Sequence, residues 1–309
     1  MFDQKTLKRE IVLEGPGLHT GRTVRMRALP ASPDSGLVFV RTDQDRYEIP
    51  ARREFLETTR LSTTLARNGI RIGTVEHLLA ALTGLGIDNA RIEVDGPEVP
   101  IADGSSAPFV AAILEAEVLR QRTERRFLTI HRPLFVSEGE KRIAVFPSND
   151  FRATYAIDFP GTSIGYQEKE IRLTAQNFVE EIAPARTFCL HRDVEAMRRE
   201  GLALGGSPDN AVVIGDDGFV FGSLRFEDEC VRHKILDLMG DLALLGHPLR
   251  GHIVAFKGGH RLHGALVERI LRAPEAWTLG SGREFLPVHL LRRFEDQKAG
   301  VLPGQPVSA

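Results

Sequence analysis

The chain has only two cysteines, Cys189 and Cys230, and no Cys-x-x-Cys pair. A disulfide framework is therefore excluded, and a reducing compartment fits. No stretch approaches the roughly 18 consecutive apolar residues that a membrane span needs. The opening, Met1-Phe-Asp-Gln-Lys5, lacks the apolar core of a signal peptide. Basic runs are absent too, and with a formal net charge of -2 nothing marks nucleic acid as a partner. These absences lead to the expectation of a cytoplasmic protein without stable membrane insertion. What remains is ordinary globular composition, 42% hydrophobic and 27% charged, over 309 residues. That length suits one large domain or two of ordinary size.

The first third alternates short β-like runs with turns, at Thr23–Leu29, Gly36–Arg41 and Arg91–Val94. Helical patterning appears from about Thr74 to Gly84 and again over Ala107–Leu119. The charged segment Arg120-Gln-Arg-Thr-Glu-Arg-Arg126 has no apolar period and reads as a linker, which sets a domain boundary near 125. The plain alternative is a solvated helix end. Strand patterns restart at Leu128–Ile130, Arg142–Phe146 and Ala153–Phe159. Thr174 is placed to cap a helix, and Asp216-Asp-Gly218 reads as a hairpin turn. A long helix is expected from about Asp228 to Leu245, a strand over Gly251–Phe256 and a helix over Arg261–Arg272. The tail beyond Gly300 is expected to fray.

One stretch echoes another. Val75-Glu-His77-Leu-Leu opens a helix that stops near Leu85-Gly86 and leads into a strand. Val231-Arg-His233-Lys-Ile-Leu does the same, stopping near Leu245-Gly246. The echo suggests a duplicated α+β unit, and a pseudo-twofold relation would bring the equivalent His77 and His233 together at the interface.

Several residues could carry chemistry. His233, Asp237 and Asp241 are spaced i, i+4, i+8 and drift only about 80° around a helix, so they form one stripe. The rest of that helix is largely apolar, and unpaired buried charge is costly. Imidazole and carboxylate at i, i+4 can share a metal ion. A His–Asp hydrogen bond with a salt bridge to Lys234 or Arg232 is the competing explanation. Glu76-His77 puts a carboxylate beside a second histidine, although His-Glu-x-x-His is absent. Lys257-Gly-Gly-His260 follows a strand and presents a histidine at a tight turn. Gly15-Pro-Gly-Leu-His19-Thr-Gly21 matches no dinucleotide or phosphate loop and alone is only a turn.

Together these pieces resemble the UDP-3-O-acyl-N-acetylglucosamine deacetylases of lipid A biosynthesis, over nearly the whole chain. The blocks that carry the resemblance are Thr74–Asn89, Pro100–Phe109, Ala185–Phe188, Gly201–Ser207 and Val231–Asp241. Glu57–Thr63 fits the family pattern more loosely, and Ile157-Asp-Phe-Pro-Gly161 lacks the His-Pro pair common there.

The resemblance implies an α+β fold of two duplicated domains. Each has a small mixed sheet plus helices, with the helices packed between the sheets and the site at the interface. Residues 1–125 would form the N-terminal domain, 126–280 the C-terminal domain with an acyl-passage insert, and 281–309 an extension. It implies one Zn2+ per chain, with Fe2+ as the alternative in cells, held by His77, His233 and Asp237. Glu76 matches the general base, His260 the acid or electrostatic stabiliser, Asp241 its orienting carboxylate and Thr187 the oxyanion partner. Lys234, Phe188, His19 and Lys141 match substrate contacts, while Val194, Ala203 and Ser207 match the acyl passage. Leu202, Leu204 and the Gly205-Gly206 pair are expected to wall or widen that passage. The implied partner is a small acylated UDP-sugar and the implied oligomeric state a monomer. A zinc amidase for another N-acetylated sugar, or a silent binding protein on this fold, are the alternatives.

Overall fold

A computed structural model describes residues 2–215, 218–221 and 223–282. In the first half, five strands order as Ile11–Pro16, Thr23–Pro30, Ala90–Val94, Leu37–Arg41 and Tyr47–Pro50. Only the pairing of Leu37–Arg41 with Ala90–Val94 is parallel. Val24, Met26 and Ala28 alternate inward from the second strand, with the period of two that a half-buried strand requires.

The second half repeats this order. Leu134–Glu138 and Lys141–Phe146 form a hairpin, Leu249–Phe256 lies beside it, and the hairpin Phe151–Phe159 with Gly165–Arg172 follows. Again the pairing of the second hairpin's first strand with the central strand is the parallel one. The echo between the helices is thus part of a repeat in strand order and direction. Arg126–Ile130 and Trp277–Ser281 extend the second sheet to seven strands.

Among the described residues six α-helices accompany the sheets: α1 Glu76–Gly84, α2 Ala107–Ala116, α3 Ala175–Asn177, α4 His191–Arg199, α5 Glu229–Leu242 and α6 His260–Leu271. Each half sends its helix, α1 or α5, into the strand at the centre of its sheet. Both exits close on a glycine in the left-handed region, Gly86 and Gly246, each with φ of 74°. Helices α1 and α5 are buried on nearly every face and pack against one another. At the crossing, a side chain on Gly240 would overlap the carbonyl oxygen of Glu76, so the two backbones touch. One contiguous buried cluster joins both halves. Each half also carries a three-stranded insert ahead of its central helix: Leu56–Thr58, Thr64–Arg67 and Ile70–Ile72 before α1, and Phe188–Leu190, Val212–Gly215 and Gly218–Phe221 before α5.

Several local expectations change. The charged segment 120–126 is no linker. Val118–Glu124 is a strand antiparallel to Asp3–Leu7, and Arg126 already begins the next strand. An edge strand with charged residues facing water hides its period from the sequence. Helix α2 stops at Ala116, where Glu117 turns at a φ of 60°. Thr174 does cap, accepting from the amide of Asn177 at 3.0 Å, but only one α-turn follows before a wider π-turn over Phe178–Ile182. The turn at Asp216-Asp217 and the extension beyond Gly282 lie outside the described residues. Among the described residues no helix is long and apolar enough to cross a membrane.

The helix crossing generates a prediction. Gly240→Ala forces a methyl group against the Glu76 carbonyl and should lower the unfolding free energy by roughly 1–3 kcal/mol in urea titrations. Gly259→Ala is the control: its φ of -177° suits any residue, and among the described residues nothing lies within 4 Å of the added atom. Equal midpoints for the two variants would refute the crossing constraint.

Candidate active site and metal centre

Where α1 crosses α5, His77 from the first turn of α1 meets His233 and Asp237 from α5. The two imidazoles stand edge to face, with centroids 5.0 Å apart. Asp237 Oδ1 is 3.2 Å from His233 Nε2 and 3.8 Å from His77 Nε2. His233 is oriented by its Nδ1, which donates to the Ala185 carbonyl at 3.0 Å and so turns Nε2 inward. Asp237 Oδ2 accepts from Lys234 Nζ at 2.6 Å. Two buried polar atoms in this triad, His77 Nδ1 and Asp237 Oδ1, have no hydrogen-bond partner among the described residues. Unpartnered buried groups cost free energy, and two imidazoles with a carboxylate are a donor set for a divalent metal. The residues therefore fit an ion. Burial and the neighbouring His233 push the His77 pKa down to about 3, which keeps the imidazole in the neutral, ligating form. Burial alone would raise the Asp237 pKa, but His233 and Lys234 outweigh it and hold the carboxyl well below its usual range.

A second triad, Asp241, His260 and His263, lies beside the first. It is joined by direct hydrogen bonds. His260 Nδ1 and His263 Nδ1 each lie 2.8 Å from Asp241 Oδ2, and the Thr63 hydroxyl donates to Oδ1. This leaves His260 Nε2 3.8 Å from both Glu76 Oε1 and Asp237 Oδ2. Burial works against a charged His260, yet Asp241 and then Asp237 prevail and raise its pKa to about 9. Glu76 is pushed up to about 8, first by burial, against the pull of His260 and with the push of Asp241 and Asp237. Its Oε2 accepts the Thr63 amide at 3.0 Å, so Oε1 is the oxygen on the His260 side.

Glu76, His77, His233, Asp237 and His260 line a cavity of ≈ 350 Å³. Thr187, Phe188, Lys234 and Lys141 line it as well. The Phe188 ring centre is 5.7 Å from the Lys234 ammonium and 6.3 Å from the centre of the His233 ring. A second cavity of ≈ 380 Å³ shares Thr187 and Phe188 with the first and is lined by His19, Val194, Ala203 and Ser207. Met197, Ala211 and Val213 give this second cavity its apolar character. His19 Nδ1 accepts the Ala203 amide at 3.3 Å, fastening the glycine-rich loop to the insert.

Two details of the passage need correction. Leu202 and Leu204 do not line the cavity, and Leu204 is 55% exposed. Gly205 does not widen it either: a side chain there would overlap the Gly17 carbonyl, so this glycine lets two loops touch. Sequence reasoning missed Thr63, Ala185, His263 and Tyr155. Ala185 acts through a backbone carbonyl, which any residue supplies. Thr63 sits in the loosely matching Glu57–Thr63 segment. It also missed Glu98, whose carboxylate accepts from His19 N, Thr20 N and Oγ1, and Thr74 Oγ1, holding the loop against the start of α1.

The sequence profile of the UDP-3-O-acyl N-acetylglycosamine deacetylases (LpxC) matches residues 4–272. Proteins called UDP-3-O-acyl-N-acetylglucosamine deacetylase are similar over most of their length. The one from Syntrophotalea carbinolica is 47% identical, over 90% of this chain and 91% of its own. That from Myxococcus xanthus is 45% identical over 91% and 90%, and that from Methylococcus capsulatus 45% over 94% and 98%. The chain belongs to this deacetylase family.

The contrast between the triads is testable. Elemental analysis of the purified protein should find about one divalent ion per chain. Asp237→Ala should lose most of it and Asp241→Ala should keep it. Full retention in both His77→Ala and Asp237→Ala would remove the metal assignment.

Proposed function

We propose that this protein hydrolyses the N-acetyl group of a UDP-3-O-acyl-N-acetylglucosamine, releasing acetate and the free 2-amino sugar nucleotide for lipid A biosynthesis. One observation carries the reading: a buried His, His, Asp donor set beside Glu76 and His260, in a polar cavity that continues into an apolar one. His77, His233 and Asp237 would hold Zn2+, or Fe2+ in cells. When bound, the ion supplies Lewis acidity, polarising a carbonyl and lowering the pKa of water to about 7.

The chain's own residues divide the remaining work. Glu76, with one oxygen tied to the Thr63 amide, takes the proton of the attacking water through the other. The Thr187 hydroxyl stabilises the oxyanion that develops on the acetamide carbonyl. His260, kept protonated by Asp241, faces the same space and stabilises that charge or donates to the leaving amine. Lys234, Phe188, Lys141 and His19 hold the sugar nucleotide. Val194, Ala203 and Ser207 pass the acyl chain, a role a purely hydrophilic substrate would leave empty. In this reading residues 1–125 and 126–280 are the two domains, and the protein works as a cytoplasmic monomer.

Glu76→Ala should keep its metal and lose most deacetylation. The pH profile of kcat/KM should be bell-shaped. His260 is protonated below about 9, so activity falls as pH rises through that value. Glu76 must be ionised, and a bound cation lowers its pKa, so the acid limb lies below about 8. The two groups interact, so each limb belongs to the pair until variants separate them. An alkaline limb unchanged in His260→Gln would show that His260 is not the acid.

The passage is tested with substrate. Each buried methylene contributes about 0.8 kcal/mol, and part of that energy can position the acetamide. Ala203→Trp should depress activity on the acylated sugar nucleotide strongly, with metal content intact and little change on the unacylated sugar. If removing the acyl chain costs the native protein less than about tenfold in kcat/KM, roughly 1.4 kcal/mol, the passage has no role.

A further inference from the structure

Asp241 is 2% exposed and takes three side-chain hydrogen bonds, of which the proposed mechanism uses only the one from His260. The second donor to Oδ2, His263, is wholly buried and makes two hydrogen bonds of 2.8 Å, from Nδ1 to Asp241 and between Nε2 and the Tyr155 hydroxyl. Tyr155, on strand Phe151–Phe159, is equally buried.

The direction of every proton in this chain follows from its ends. Asp241 is held below its usual pKa against the push of burial, mainly by His260, so it is a carboxylate and can only accept. His263 Nδ1 must therefore carry a proton. Burial lowers the His263 pKa, so the ring is neutral and Nε2 has a lone pair. Tyr155 is held far above its ordinary value by burial and by Asp237 and Asp241, so it keeps its proton and donates to Nε2. The order is Tyr155 to His263 to Asp241, with His260 donating to the same oxygen and Thr63 to the other.

His260 and His263 are i and i+3 on α6 and so share a face. Two imidazoles on one oxygen fix the start of α6 against α5 and fix the carboxylate that aims His260. The backbone makes room for this: a side chain at Gly258 would overlap the Tyr155 hydroxyl. Gly258 belongs to the Lys257-Gly-Gly-His260 turn, so this glycine admits the hydroxyl that backs His263.

We infer that His263, backed by Tyr155, is a positioning residue for the reaction, pinning the Asp241 carboxylate so that His260 Nε2 stays turned toward the cleft. The inference rests on the deacetylase reading for its effect on turnover. Its geometry does not depend on that reading.

The experiment compares kcat, KM and metal content of the metal-loaded wild type with those of His263→Leu, His263→Asn, Tyr155→Phe, His260→Gln and the double variant His260→Gln/His263→Leu. His263→Leu should lose about tenfold or more in kcat, with KM and metal content unchanged. His263→Asn, whose side-chain amide can donate from near the Nδ1 position, should recover most of the loss. In the His260→Gln background, His263→Leu should have no further effect, because it acts through His260. An unchanged kcat in His263→Leu, or the same fold-loss in both backgrounds, overturns the proposal.

Should the wild type prove inactive on the acylated sugar nucleotide, the functional reading falls and spectroscopy decides the positioning role. With 15N-histidine labelling, Tyr155→Phe, which removes a single hydroxyl, should move the Nδ1 proton resonances of both His263 and His260. A His260 resonance that stays fixed would overturn the inference.

Discussion

Helix α5 crosses helix α1 with Gly240 against the carbonyl of Glu76, a separation that only bare backbones can reach. That contact sets the distance between the residues the two helices contribute. Glu76 and His77 come from one side of the crossing, and His233, Asp237 and Asp241 from the other. A larger residue at position 240 would push the helices apart and move His77 and Glu76 away from His233 and Asp237. The duplicated sheets reinforce the arrangement, since each central helix is anchored by its left-handed glycine exit into the middle strand of its own sheet. Rigid elements of this kind hold side chains more accurately than loops do.

Within this frame, three buried carboxylates close together remain distinguishable because their partners differ. Asp241 is saturated by two imidazoles and a hydroxyl and stays ionised as a structural anion. Asp237 is hydrogen-bonded through one oxygen, by Lys234, and turns the other toward His77 and His233. Glu76 has a single backbone donor on one oxygen and the highest pKa of the three, because burial outweighs the pull of His260. The histidines divide in the same way. His77 is driven neutral and His260 is driven positive, so burial plus a specific neighbour sends chemically identical groups in opposite directions.

The two cavities meet at Leu18, Leu61, Thr187 and Phe188, where a polar lining gives way to a more apolar one. Thr187 and Phe188 lie at the start of the insert before α5, and His19 ties the glycine-rich loop of the other half across to Ala203. Glu98 organises that loop by accepting four hydrogen bonds. The shared lining is therefore assembled from both repeats of the chain, Leu18 and Leu61 from one and Thr187 and Phe188 from the other.

Local sequence determined the elements whose causes are local. The periodicity of α1 and α5, their leucine-glycine stops, the Thr174 cap and the inward alternation of Thr23–Pro30 are all written in nearest-neighbour patterns. So was the stripe of His233, Asp237 and Asp241, because one helix sets the relative directions of its own side chains. Its partner His77, 156 positions earlier, became legible only through the echo between the repeats and the family resemblance. Tertiary structure decided what depends on distant partners. The charged run 118–124 became a strand because Asp3–Leu7 lies beside it, and Gly205 proved to be a loop contact because Gly17 lies behind it. Thr63, Ala185, His263 and Tyr155 entered the site through an amide, a carbonyl, an imidazole and a hydroxyl with no distinguishing pattern of their own. A hydrogen bond depends on where two atoms meet in space, and a one-dimensional pattern records only the spacing along a single element.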